Sequence, residues 1–274
     1  MPTPIELILD PMSLIVFAIF GGLMLWEAVA PARQLPAVRG WRTKGLVAFS
    51  VFFFLSSYLP LVWSEHLASY QLFDLTGLGY WSGALAGLLV YEAGVYFWHR
   101  SMHASPLLWR AFHQMHHSAE RVDVAGAFWF SPLDMLGWTA LSSLCLTLVI
   151  GITLEATTLV LYVTTFLGVF QHGNLRTPQW LGYFVQRPES HAGHHERGVH
   201  ARNYSDLPLF DILFGTFHNP HDFAPAAGFY DGASERLGEM LLFRDVSQPL
   251  EARAAQKIWL AGFNPDSRRR DMSK

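Results

Sequence analysis

The sequence predicts an all-α fold: an integral membrane helical bundle of about five transmembrane spans, the last two forming a tight hairpin, with a cytosolic helical cap. Of its 274 residues, 51% are hydrophobic and only 15% are charged, whereas about a quarter of the residues in soluble domains are charged. The mean hydropathy of +0.22 is modest, so part of the chain is expected to lie in water. The cap is expected to carry the histidines described below.

Apolar runs of transmembrane length place the spans. Residues 133–171 read as two helices that turn at 151–155, and Ser131-Pro132 is typical of the start of the first. The single spans are expected at 12–30, 45–63 and 81–98. The expected organisation is one functional domain in five parts: spans at 1–98, two histidine groups at 99–132, the hairpin at 133–171, a third histidine group and cap at 172–221, and a cytosolic C-terminal region at 222–274.

The basic residues orient the chain, because loops rich in Lys and Arg stay in the cytosol. All 19 Lys and Arg fall in 31–44, 99–132 or 173–274, and none falls in 1–11, 64–80 or 151–155. A buried soluble core would not explain this partition. We therefore expect the N-terminus outside and the basic segments inside. We expect a bacterial inner membrane, with the endoplasmic reticulum as the alternative, because no eukaryotic retrieval signal is seen at the C-terminus. The basic tail Ser267–Lys274 is expected to be a solvated end.

Residues 99–117 hold five histidines at helical spacing. Histidines three or four residues apart project to one face of a helix. Ser105-Pro106 predicts that one helix ends near His103 and another begins at Pro106. A third group follows a predicted helix start at Pro188, and one histidine ends the hairpin. The nine residues are His99, His103, His113, His116, His117, His172, His191, His194 and His195.

The nine imidazoles indicate a metal centre, because imidazole suits Fe, Zn, Cu and Ni. Nine are too many for one ion, since a zinc site uses at most four ligands. Two ions with four or five ligands each would use all nine. His200 is near enough to be an extra ligand or to support one, whereas His66 is expected outside and His218 and His221 on a polar surface. The single Cys145 leaves no thiolate site or disulfide. The acids that are candidates for orienting the rings are Glu120, Asp123, Asp134, Glu189 and Glu196.

These spacings resemble the histidine boxes of the fatty acid hydroxylase/sterol desaturase superfamily: H-x3-H at His99–His103, then H-x2-HH at His113–His117 and at His191–His195. His172 with Asn174, and the NYS and ILFGTF segments within 203–217, are similar too. Some members have a further H-x3-H where this chain has His172 and Arg176. The resemblance covers roughly residues 90–217 and implies that the nine histidines bind two iron ions, for which zinc is a possible substitute.

The resemblance implies a membrane-bound non-haem di-iron oxygenase that hydroxylates or desaturates a lipid such as a sterol, a fatty acyl chain or an alkyl-glycerol. No catalytic residue apart from the ligands is implied. Electrons are expected from a separate reductase with a ferredoxin or cytochrome, because the chain has no nucleotide fingerprint or haem-attachment motif. The net charge of −3 gives no argument for nucleic acid. The alternatives are a membrane zinc hydrolase and a non-catalytic metal- or lipid-binding protein.

Two aromatic stretches are candidates for lining a lipid passage, at 127–138 and 207–217. Ordinary anchoring at the membrane interface or packing in the core is the alternative interpretation of both.

Overall fold

The computed structural model describes residues 1–250, and its secondary structure is almost entirely helical. The predicted tail Ser267–Lys274 and the end of the C-terminal region lie outside the described residues. The helices are α1 (Pro4–Leu9), α2 (Pro11–Val29), α3 (Trp41–Ala68), α4 (Gly79–Ala104), α5 (Pro106–Leu108), α6 (Gln114–His117), α7 (Pro132–Ser143), α8 (Leu154–His172), α9 (Pro188–His194), α10 (Leu209–Leu213) and α11 (Leu237–Leu241). The all-α prediction is confirmed.

Shorter elements join these helices. One π-helical segment links α5 to α6 and another extends α7, and two-residue strands precede α4 and α8. The π-helical segments are Trp109–His113 and Leu144–Val149, the strands are β1 (Phe73–Asp74) and β2 (Ile150–Gly151), and the 3-10 turns are Thr76–Leu78, Val124–Gly126, Gln179–Tyr183 and Ala233–Glu235.

Within residues 1–250, four helices are long and apolar enough to cross a membrane: Pro11–Val29, Trp41–Ala68, Pro132–Val149 and Leu154–His172. They match four of the five predicted spans. The expected third span forms as α4, which has 26 residues but is less apolar than these four helices. Large apolar side chains on the outside of the bundle, such as Val62 at 69% exposed, suit contact with lipid rather than water.

Helices α4 and α8 start at the same end of the bundle, because the strands that precede them pair in parallel, Phe73 with Ile150 and Asp74 with Gly151. This pairing joins the two segments predicted to lie outside. The helices then pack closely along small residues, as membrane helices do. A Cβ added to Gly87 of α4 would lie 3.0 Å from Val160 Cγ2 of α8. The carboxyl ends of α4 and α8 therefore reach the opposite end together.

The basic loop after α2 lies at that opposite end. Ala32 donates a backbone hydrogen bond to the Asn174 carbonyl at 2.8 Å, and Arg121 donates to the Pro36 carbonyl at 2.9 Å. Glu27, at the end of α2, accepts from the backbone N–H groups of Val124 and Asn174. The basic loop 31–44 is thus gathered with residues 121–124 and 174 at one end of the molecule, and the paired strands β1 and β2 lie at the other.

Helix α3 packs directly against the turn Val124–Gly126. A Cβ added to Gly45 would clash with the carbonyl of Ala125, so the close approach requires glycine there. Trp41 closes the same contact by donating its indole N–H to Asp123 at 2.8 Å. This packing fixes the turn from which the aromatic stretch 127–138 continues.

Candidate metal centre

A corner between helices brings the first two histidine groups face to face. α4 ends at Ala104 and α5 begins at Pro106, as predicted, and the Ser105 side chain accepts from the Leu108 N–H. The π-helical segment Trp109–His113 then shifts the phase of the following turn, a distortion common at functional sites. The corner places the ring of His103 4.7 Å from the ring of His117, centroid to centroid.

The remaining four histidines come from two other helices. His172 is the last residue of α8. Helix α9 begins at Pro188, as predicted, and all seven of its residues are buried, including His191 and His194. The next residue, His195, caps this helix and is also buried. The third group is therefore carried by a short helix inside the cap rather than on its surface.

The structure brings all nine predicted histidines together, and it divides them into two clusters. Within each cluster the potential ligand atoms all lie within 4.8 Å of one another. Eight of the nine are buried and His103 is half-buried. The first cluster is His99, His103, His113, His117 and His194, and the second cluster is His116, His172, His191 and His195.

The helical phase explains why the clusters cut across the sequence groups. Residues four apart project to the same side of a helix, whereas adjacent residues diverge by about 100°. Thus His113 and His117 share the first cluster, while the adjacent His116 belongs to the second. Likewise His191 and His195 share the second cluster, and His194 belongs to the first. The three-residue spacings, predicted to share a face, instead divide between neighbouring clusters.

Every ring of the first cluster has its Nδ1 hydrogen-bonded. A carbonyl or carboxylate oxygen only accepts, so a neutral ring that donates Nδ1–H to one keeps a free electron pair on Nε2. His117 instead has its Nδ1 3.1 Å from the His200 Nδ1. The oxygen acceptors are Tyr204 O for His99 at 2.8 Å, His200 O for His103 at 2.8 Å, Asp134 Oδ2 for His113 at 2.9 Å and Arg202 O for His194 at 2.6 Å.

This arrangement fits a bound cation. The Nε2 atoms of His99 and His113 lie 2.9 Å apart, and both carry electron pairs because both Nδ1 atoms are donors. Two electron pairs at that distance repel each other unless a cation lies beside them. The Nε2 of His103 is also buried and has no hydrogen-bond partner among residues 1–250. The first cluster therefore has the character of a metal-binding site.

Hydrogen bonds alone do not explain the short distances between Nε2 atoms in the second cluster either. His172 donates Nδ1–H to the Gly168 carbonyl at 2.6 Å, so its Nε2 can only accept. That Nε2 lies 3.0 Å from His116 Nε2 and 2.9 Å from His191 Nε2. His191 Nε2 also lies 3.1 Å from His195 Nε2, and one nitrogen cannot donate to His172 and accept from His195 at once. Nitrogen atoms that converge in this way fit a metal ion such as iron or zinc.

Burial keeps these rings neutral. It lowers the pKa of His113 to about 3, and it lowers the pKa of His200, which borders the first cluster, to about 4. The pKa of His117 and that of His194 also lie well below the usual histidine value, because burial disfavours the charged form and the neighbouring rings add repulsion. Neutral imidazole is the form that binds metal.

Of the five candidate acids, only Asp134 contacts a ligand histidine, His113. Glu120 accepts from Ser234, and Glu189 accepts from Thr177. No ligand histidine is hydrogen-bonded by Glu120, Asp123, Glu189 or Glu196 within residues 1–250. Backbone carbonyls instead accept from four of the nine rings, those of His99, His103, His172 and His194, and sequence patterns do not reveal them.

The four remaining histidines lie outside both clusters. His66 is exposed on α3 beside Tyr70, and His221 is exposed next to Asp222. Half-buried His218 belongs to neither cluster. His200 contacts the first cluster from outside through His103 and His117. It is not among the convergent ligand atoms.

Arg176, which stands where some members of the superfamily have a histidine, points away from the clusters. It pairs with Asp222 at 2.8 Å. The second cluster therefore has four candidate ligands and the first has five.

Of the two aromatic stretches, the one at 127–138 contacts the clusters. The ring centroid of Phe130 lies 4.6 Å from that of His116, and that of Trp138 lies 5.9 Å from that of His99. In the stretch at 207–217, Phe214 instead stacks on Tyr96, with 5.0 Å between ring centroids. The first stretch borders the site, and the second packs against α4.

A helical membrane bundle with two adjoining all-histidine clusters defines the class of protein. Residues 84–216 match the sequence model of the family described as fatty acid hydroxylase. This match confirms the resemblance to the fatty acid hydroxylase/sterol desaturase superfamily over residues 84–216.

A curated relative is similar to part of the chain. It is the ornithine lipid hydroxylase OlsE of Rhizobium tropici, which is 36% identical over 139 residues. The aligned region covers 49% of this chain and 41% of the relative, so less than half of that protein is matched. No solved structure gives a significant match to the chain.

Proposed function

We propose that this protein is a membrane-bound, O2-dependent lipid hydroxylase in which nine histidines bind two iron ions. The observation that carries the proposal is the convergence of neutral imidazole Nε2 atoms in two adjoining clusters. The first cluster would bind one ion through five rings, and the second would bind the other through four. The family match supports lipid hydroxylation as the reaction.

The iron ions, when bound, would supply O2 activation and the oxidation of an unreactive C–H bond, with electrons from a separate reductase and its ferredoxin or cytochrome. The histidines would hold the metal through Nε2, and Asp134 fixes the tautomer of His113. Phe130 and Trp138 give the site an apolar border, which excludes water and suits a hydrocarbon chain.

The proposed substrate is a membrane lipid. The name of the Rhizobium relative makes an ornithine lipid the first candidate to test, followed by sterols, free fatty acyl chains and alkyl-glycerols. A lipid already in the bilayer needs to leave it only partly to reach a site at the ends of α4 and α8. Desaturation of the same chain is the alternative outcome of the same oxidation.

We further propose that the clusters face the cytosol at a bacterial inner membrane, with the spans and the cap acting as one functional domain. The gathering of the basic segments at the histidine end supports this orientation. Cysteine labelling of intact cells tests it, because the single native Cys145 is buried. Tyr70→Cys should react with a membrane-impermeant reagent, and His221→Cys should react only after lysis. The reverse pattern would contradict the orientation.

The reaction is tested with protein purified in detergent from iron-replete cells. Ornithine lipid, a reductase–ferredoxin system and isotopically labelled O2 should yield a hydroxylated lipid that carries one labelled oxygen atom. His116→Ala should abolish the product, and exposed His66→Ala should not. Lipid cleavage that proceeds without O2 in a zinc-loaded protein would favour the hydrolase, and metal binding with no lipid turned over would favour a binding protein.

A further inference from the structure

Residues 200–205, which we name the strap, present backbone carbonyls to the first cluster. The carbonyls of His200, Arg202 and Tyr204 alternate along the strap. Each accepts the Nδ1–H of one histidine of the first cluster, at 2.6–2.8 Å. The ring of His200 adds a contact to His117. The strap thus orients four of the five rings of the first cluster, and Asp134 orients the fifth.

The strap has an unusual backbone. His200, Arg202 and Asn203 have φ angles of 43°, 74° and 50°, in the left-handed region that non-glycine residues avoid. Such conformations persist only where the surroundings impose them. In the strap, these φ angles turn alternate carbonyls toward three histidines of the first cluster.

Asp211 holds the strap in this shape. Its side chain is 1% exposed. One carboxylate oxygen accepts from Tyr204 N at 2.8 Å, and the other accepts from Ser205 N at 3.0 Å. The hydroxyl of Thr216 donates to it at 2.7 Å, and the hydroxyl of Ser205 lies 2.8 Å from it. Asp211 therefore acts on the metal centre through the strap and contacts no histidine ring itself.

The second cluster has no comparable support. Only His172 has its Nδ1 hydrogen-bonded, to the Gly168 carbonyl. The Nδ1 atoms of His116, His191 and His195 are buried and have no hydrogen-bond partner within residues 1–250. The strap accepts from none of these three rings.

We infer that Asp211 and the strap are positioning elements for one metal ion only, the ion of the first cluster. The inference rests on the proposed two-metal site. Losing the group that fixes a ligand histidine typically weakens metal binding ~10–100-fold. Loss of Asp211 should therefore weaken retention of the first-cluster metal by about that factor and leave the second-cluster metal unaffected.

The test measures metal content and release to a chelator, using full-length protein purified with its metal. Asp211→Asn places an amide N–H group against one of the two backbone N–H groups and so releases the strap. Glu120→Gln is the matched control, because Glu120 is also buried and accepts from a backbone N–H and a hydroxyl, those of Ser234. Wild type and Glu120→Gln should keep two metals per chain, and Asp211→Asn should release one about 10–100-fold faster.

Double variants identify which metal responds. In His191→Ala, which leaves the first-cluster metal, adding Asp211→Asn should speed release. In His113→Ala, which leaves the second-cluster metal, adding Asp211→Asn should change nothing. Equal effects in both backgrounds, or no effect in the first, would overturn the inference. A wild-type protein without metal would instead contradict the proposed function, so the two failures are distinguishable.

A second pair of variants tests the strap if Asp211→Asn does not fold. Asparagine tolerates left-handed backbone, and its side-chain oxygen can accept from His117 in place of the His200 ring. His200→Asn should keep both metals, whereas His200→Ala should lose the first-cluster metal. If His200→Asn loses metal as readily as His200→Ala, the positioning role of His200 is wrong.

Discussion

His172 Nε2 lies 3.0 Å from His116 Nε2, although 56 residues separate the two in sequence. The contact joins the carboxyl end of a membrane-spanning helix to the helical segment that starts at Pro106. Helix α9 supplies the other two rings of the second cluster. No single segment can therefore form this cluster, and it exists only once the bundle and the cap have assembled.

Removing one ligand from each cluster is expected to show two separable metal sites. His116→Ala should lose the second-cluster metal and His194→Ala the first-cluster metal, each with a loss of affinity above the ~10–100-fold seen when an outer partner of a ligand is removed. Both variants should abolish turnover. Metal analysis of the purified variants checks this, with His66→Ala as the control. Full metal content in His194→Ala would exclude His194 as a ligand.

Metal removal is expected to loosen the histidine segments 99–125 and 185–205, here called the cap, and to leave the spans intact. The reason is that a ligand cage is not preformed in an unfolded chain. Hydrogen exchange in detergent should show lost protection across 99–125 and 185–205 in the metal-free protein. Protection of α3 and of the first turns of α8 should stay the same. Unchanged protection in the cap would show that packing alone holds the histidines in place.

Acid is expected to destabilise the folded protein, because its buried histidines resist protonation. Burial lowers the pKa of His113 to about 3, whereas an unfolded histidine titrates near 6.5. Between those values the unfolded state binds more protons, so stability rises with pH and falls as the solution is acidified below about 6.5. Each such ring contributes a slope of up to about 1.4 kcal/mol per pH unit. Thermal unfolding from about pH 7.5 to 5 measures this, and a flat profile would contradict it.

Close packing of α3 against the Val124–Gly126 turn gives a prediction on stability. Gly45→Ala would push a Cβ against the backbone carbonyl of Ala125, and overpacking of this kind costs about 1–3 kcal/mol. Gly22→Ala is the matched control, because nothing lies within 4 Å of the added Cβ. Thermal unfolding in detergent should show a lower midpoint for Gly45→Ala only. Equal midpoints would mean that the helix and turn separate freely.

Much of this arrangement was predictable from local sequence signals. Ser105-Pro106 and Ser131-Pro132 mark helix starts because their side chains and ring geometry act within one turn. The division of cations predicted which segments share an end of the bundle. Eight of the nine histidines were singled out by three- or four-residue spacing, which is a local property of a helix, and His172 was singled out by its place at the end of the hairpin.

Which pairs of histidines combine into one cluster was not predictable. It depends on the phase of two short helices, one of them preceded by the π-helical segment Trp109–His113, which spacing does not reveal. The carbonyls that orient the rings belong to the strap, where the side chains of Arg202 and Tyr204 carry no sign of this role. Asp211 was missed for the same reason, since its effect passes through the backbone of a neighbouring segment.

The central claim, two metal ions divided between these two clusters, is tested most directly by an anomalous difference map at the iron edge, from crystals of protein purified without added metal. The account predicts two peaks. One should be bound by His99, His103, His113, His117 and His194, and the other by His116, His172, His191 and His195. A single peak, or a peak bound by a histidine outside these nine, would contradict it.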